Sequence, residues 1–134
     1  MSESKLTDQA RRLLTAPNFC HVSTIRPDGS VLPVLVWVDL DGDEISVNSA
    51  QGRAWPTNLE RDPRVSLLIS NQENPYEWVS IRGTVSNITT DGADEQIDAL
   101  AKKYMGVDKY PLRKDGEQRI KIVIDPDTTA NMGG

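Results

Sequence analysis

The sequence predicts a mainly β, α+β domain of 134 residues in which short antiparallel strands curl into a small barrel. Three observations carry that prediction. Polar and apolar residues alternate through Glu44-Ile45-Ser46-Val47-Asn48-Ser49, and again over residues 76–88, with the period of two that half-buried strands require. Turn formers punctuate the runs at short intervals, notably Arg26-Pro27-Asp28-Gly29 and Asp39-Leu40-Asp41-Gly42-Asp43. One later stretch, residues 91–105, departs to helical spacing through Ile97, Leu100, Ala101 and Tyr104.

In chain order, Thr7 reads as the N-cap of a short helix over residues 8–14, with Asp8 complementing the helix dipole and Pro17 ending it. Residues 19–25 form a strand that a tight turn joins to a second strand, residues 31–38. That second strand is apolar on both faces, so both are covered, or one meets a ligand or a second subunit. Pro33 within it marks an edge, a bulge or a strand end. After the 39–43 turn, a third strand over residues 44–49 leads into Asn48-Ser49-Ala50-Gln51-Gly52-Arg53, followed by two turns of helix.

Small residues at Ser49, Ala50 and Gly52 let the backbone approach a ligand, and the helix start offers unpaired N–H groups to an anion. Arg53 adds a charged fork suited to phosphate. The plain alternative is a connection whose arginine is merely solvated.

Residues 65–70 form the next strand and residues 71–75 a polar connection. The long strand of residues 76–88 carries Gly83 as a bulge or bend that lets it curl. The late helix opens on acids, closes on lysines and stops at Gly106. Its carboxylates Asp94, Glu95 and Asp98 read as a solvated face. An irregular bridge over residues 108–112 precedes a last strand, residues 117–124, which ends before Pro126; residues 128–134 read as a frayed tail. The total is about six strands in a single domain, residues 1–134, with no repeat or linker.

The formal charge of −5, with no basic run longer than two residues, argues against nucleic-acid binding. With one cysteine, no secretory signal pattern and no apolar run of spanning length, the chain reads as cytoplasmic, soluble and without a membrane partner. Cys20 reads as a small buried hydrophobe. His21 points to the opposite strand face, so the two form no dyad, and one Cys with one His makes no metal cluster.

The ordered set of a hairpin, a strand, Gly-Arg-Ala and a helix ending Asn-Leu-x-Arg-Asp-Pro-Arg-Val, then Asn-Pro-Tyr-x-x-Val-x-Ile-Arg-Gly-Thr-Val, Lys-Lys-Tyr and Tyr-Pro-Leu-Arg, covers nearly the whole chain. It resembles the split β-barrel flavin and deazaflavin oxidoreductases related to pyridoxamine 5′-phosphate oxidase, and within them the proteins that use coenzyme F420. The resemblance implies an FMN-binding-like split β-barrel and a homodimer with two cofactor sites between subunits. It implies hydride transfer between F420 and an unsaturated small-molecule substrate. The alternatives are an FMN-dependent enzyme of the same class, or a non-catalytic binder of a flavin, a deazaflavin or a tetrapyrrole.

Carried over by position, the ring-contacting strand falls on Pro33, Val34, Leu35, Val36 and Trp37. The segment holding the ribityl chain and phosphate falls on Asn48, Ser49, Ala50, Gly52, Arg53, Ala54, Trp55 and Asn58. Many relatives carry a basic residue at the position of Trp55, and often another at that of Thr57. Here Arg53 and backbone N–H groups are left to hold the anion, with Arg61, Lys102 or Arg113 as helpers. Trp55 either stacks on the cofactor or caps the core. Trp37, Tyr76 and Trp78 are candidates for an apolar slot, and Tyr104, Tyr110, His21 or solvent for a proton donor.

Overall fold

A computed structural model describes residues 6–131. Helix α1 (Asp8–Thr15) starts where expected, with the Thr7 hydroxyl oxygen accepting from the Ala10 N–H at 3.1 Å. It buries Ala10, Leu13 and Leu14. Strands β1 (Cys20–Ile25) and β2 (Val31–Val36) form the first hairpin, and β3 (Val38–Asp41) and β4 (Glu44–Ala50) the second. Then follow α2 (Ala54–Arg61), β5 (Arg64–Ser70), β6 (Trp78–Thr89), α3 (Ala93–Met105) and β7 (Arg119–Asn131). Among the described residues no helix is long and apolar enough to cross a membrane.

The seven strands lie in the order β2-β1-β5-β6-β7-β4-β3, every pair antiparallel. The two edge strands, β2 and β3, are consecutive in the chain and joined through Trp37 alone. A sheet whose opposite edges are tied by one residue must curl until they meet, which makes this fold the split β-barrel rather than an open sheet. The inward residues, among them Val22, Val47, Leu67, Ile81 and Ile122, form one buried core, with Leu32, Val34 and Val36 of β2 packed against it.

Three expectations from the sequence are corrected. The strand expected over residues 31–38 is two strands on opposite edges, raising the total to seven among the described residues. The turn expected over residues 39–43 contracts to Gly42 and Asp43, because Asp39, Leu40 and Asp41 pair with β4. The last strand does not stop before Pro126: β7 runs on, pairing Thr128 with Arg82 and Asn131 with Val79. Pro126, which has no N–H to donate, lies opposite Gly83 where the register shifts, so the ladder tolerates it. Residues 132–134 of the expected tail lie outside the described residues.

Helix α3 covers the outside of β4 and β7 through Ala93, Gln96 and Ile97. Among the described residues the outside of β2, β1 and β5 has no such cover, and Val31, Leu35 and Leu68 stand exposed there. Gly83 sets how closely β6 and β7 cross: a Cβ at this position lies 2.6 Å from the Asp125 carbonyl oxygen and 2.8 Å from Cγ2 of Ile124. We predict that Gly83→Ala lowers stability by roughly 1–3 kcal/mol, as overpacking does. Urea unfolding checks this, and an unchanged midpoint refutes the close-approach account.

Candidate functional site

Asn48, near the end of β4, is fully engaged. Its Nδ2 donates to the Ala93 carbonyl at 2.8 Å and to Oε1 of Gln96 at 2.9 Å, while its Oδ1 accepts from Nε of Arg119 at 2.9 Å. Gln96 in turn donates to Oγ of Ser46 at 2.7 Å. The network ties α3 to β4 and β7 and satisfies each buried side chain it joins; a broken member costs about 1–3 kcal/mol.

The buried Arg119 carries the network to the surface. Its Nη1 donates to Oε1 of Glu117 at 2.8 Å, and its guanidinium lies 5.2 Å from the centre of the Tyr110 ring. The second oxygen of Glu117, Oε2, lies 3.7 Å from Nη2 of Arg53. Arg53 occupies the N-cap of α2, whose first turn receives no side-chain cap. Glu117 and Arg119 escaped the sequence reading, although their i, i+2 spacing leading into a strand was a signal that both sit on one face.

An aromatic stack forms the other wall. Trp37 lies 5.3 Å from Tyr104 and nearly parallel at 7°, and it meets Tyr110 edge-on at 5.9 Å. Phe19 stacks on the same tyrosine at 5.8 Å. Between this wall and the arginines lies a cleft of about 190 Å³. Leu35, Val36, Trp37, Asn48 and Arg53, from three separate segments, all line it. Its chemistry suits an anionic planar compound: an apolar and aromatic slot with a guanidinium at one end.

The other residues expected at the site lie elsewhere. Pro33 is exposed on the outer face and Val34 packs against the core. Ser49 and Ala50 are buried, and Oγ of Ser49 has no hydrogen-bond partner. Gly52 makes the turn at φ +92°, and Ala54 is exposed at the start of α2. Trp55 is 6% exposed and belongs to the core cluster, as the second of its two readings expects. The Asn58 side chain is buried and donates to Oγ1 of Thr24 at 3.1 Å.

Two of the three helpers are committed to structural contacts. Arg61 donates to the Ile25 carbonyl. Arg113 pairs with Asp94 at 2.7 Å and Asp98 at 3.2 Å, so these acids are bridged rather than simply solvated. Asp98 also accepts from the Tyr110 N–H at 2.9 Å, which fixes that ring over the cleft. Lys102 is exposed, and neither Tyr76 nor Trp78 lines the cleft.

Of the candidate proton donors, Tyr110 lines the cleft and His21 is exposed on β1. The Tyr104 hydroxyl is occupied, donating to the Asn18 carbonyl at 2.6 Å and accepting from the Val38 N–H at 3.2 Å. Burial pushes its phenol from 10.0 up to about 12, and likewise pushes the buried Cys20 thiol from 9.0 up to about 12. Both shifts have the same sign. The folded chain keeps protons that the unfolded chain releases, so stability is full below pH 9–10 and falls as pH rises toward 12. We predict that Tyr104→Phe, which keeps the ring stack, makes that alkaline loss shallower by about one proton. Denaturant melts across pH 9–12 measure it, and an unaltered slope shows that Tyr104 does not couple to folding.

The sequence matches the pyridoxamine 5′-phosphate oxidase family over residues 6–132. Among solved structures, an F420 reductase is similar at 26% identity and a TM-score of 0.83, covering 93% of this chain and 98% of that one. General Stress Protein 26 from Bacillus anthracis shares the fold at 16% identity and a TM-score of 0.71, over 93% and 92% of the two chains. HupZ from Group A Streptococcus does so at 19% identity and a TM-score of 0.66, over 100% and 97%. No curated protein matches.

Proposed function

The chain belongs to the pyridoxamine 5′-phosphate oxidase family, and from that premise we propose that it is an oxidoreductase using coenzyme F420 to reduce an unsaturated small molecule. The observation that carries the reading is the meeting of the Trp37–Tyr110 wall with Arg53 at the uncapped start of α2. The likeness to an F420 reductase favours the deazaflavin over FMN.

When bound, the cofactor supplies hydride transfer. The protein's part is to position and shield. Leu35, Val36 and Trp37 hold a planar ring away from water, while Arg53 and the N–H groups of the first turn of α2 hold an anion. Tyr110 is the residue lining the cleft that bears a hydroxyl, and is our assignment for delivering a proton to the product.

Homodimerisation belongs to the same reading. Leu35 lines the cleft and is also 57% exposed on the uncovered sheet face, so a second copy seated on that face would roof the ring. Val31 and Leu68 extend the apolar surface such a contact would bury.

Three measurements test the proposal. Fluorescence titration is expected to show F420 binding more tightly than FMN, with Trp37→Ala costing roughly tenfold in affinity, the scale of one lost aromatic contact. Reduced F420 on the protein should be oxidised by conjugated carbonyl acceptors; binding without turnover would favour the non-catalytic reading. Light scattering should give the mass of two chains, and Leu68→Asp should give one. Failure of both cofactors to bind defeats the proposal.

A further inference from the structure

The charge of the cleft is set by a residue outside the segments that form its walls. Glu117 shares its carboxylate between two arginines: Oε1 accepts from the buried Arg119 at 2.8 Å, and Oε2 lies 3.7 Å from Arg53, whose side chain is 48% exposed. Two guanidiniums and one carboxylate leave one net positive charge. The neighbouring cluster of Arg113, Asp94 and Asp98, joined to the cleft through the Tyr110 N–H, sets one cation against two carboxylates and so adds one negative charge rather than a cation. The two arginines differ in freedom. Arg119 is held by Asn48, Glu117 and the Tyr110 ring, whereas Arg53 has one long ionic contact and solvent around it.

We propose that Glu117 makes this cleft selective for a singly charged anionic group, a phosphodiester or carboxylate, over a doubly charged terminal phosphate. The inference rests on the reading that the cleft binds a flavin-type cofactor, and it names the charge class that cofactor must carry. Arg53 is the mobile partner that exchanges Glu117 for the ligand anion. Arg119 stays behind on Oε1 of Glu117, while Oε2, which Arg53 leaves, faces the ligand. A second negative charge on the ligand would meet Glu117 with no free cation to offset it, a repulsion that low local dielectric sharpens.

The test uses one ring with three charges: riboflavin, its singly charged 5′-(methyl phosphate) diester, and FMN, whose phosphate is largely doubly charged at pH 7.5. Affinities are measured by fluorescence at fixed ionic strength, with F420 titrated in parallel. For the unaltered protein, the diester should bind roughly tenfold more tightly than riboflavin, and FMN no more tightly than the diester. Glu117→Gln keeps an acceptor for Arg119 and should make FMN bind roughly tenfold more tightly than the diester. Arg53→Gln, an exposed change with little effect on folding, should remove the diester's advantage over riboflavin, leave FMN the weakest of the three flavins and weaken F420 roughly tenfold. Those two variants should also shift the salt dependence of binding in opposite directions, which a purely structural role for either residue would not do.

A flavin ranking unchanged by both variants overturns the inference while leaving the functional reading in place. FMN outranking the diester in the unaltered protein does the same. If F420 binds but no flavin does, an Arg53→Gln variant with unchanged F420 affinity overturns it. Failure of every ring compound to bind overturns the functional reading and this inference together.

Discussion

The structure depends on a closure constraint: β2 and β3, at opposite edges of a seven-stranded sheet, are separated in the chain by Trp37 alone. The sheet has no freedom to lie open. Closure brings the end of β2, the end of β4 and the start of α2 to one place, although Leu35 and Arg53 are far apart in sequence. Trp37 is therefore both the hinge of the barrel and a wall of the cleft. Its stacking on Tyr104 pins the hinge to α3, and Tyr104 is held in turn by the Asn18 carbonyl and the Val38 N–H.

A second constraint is polar. Beneath α3, Ser46, Gln96, Asn48 and Arg119 form a chain of hydrogen bonds in which each buried polar side chain finds a partner. The chain reaches the surface at Glu117 and Arg53, so the packing of α3 on the sheet and the charge of the cleft share residues. Oγ of Ser49 stands outside this arrangement, buried and without a hydrogen-bond partner among the described residues.

Of the residues expected at a site, Leu35, Val36, Trp37, Asn48 and Arg53 line the cleft and the others do not. Trp55 and Asn58 anchor α2: one enters the core and the other bonds to Thr24 across to β1. Their role is to aim the start of α2, and hence Arg53. A position that matches a family motif can serve the site through the backbone it fixes rather than through its own side chain.

Local physics made much of the fold legible in advance. The Thr7 cap, the alternation in β4 and β6, the Gly83 bulge and the amphipathic α3 each depend on neighbours a few residues away, and each lies where its own stretch of chain places it. The breaks in the reading came where a distant partner decides. The strand broke at Trp37 because its two halves pair with different edges, and residues 128–131 became strand because β6 was long enough to pair them. Glu117 and Arg119 became part of the site through Asn48 and Arg53, partners that no window along the chain contains. The sequence alone determined where most of the strands and helices lie and which of their residues face inward, since period and capping are local properties. Tertiary structure alone decided which edges meet, which polar groups are satisfied and where charge is left over, since these depend on contacts between residues that only closure of the barrel brings together.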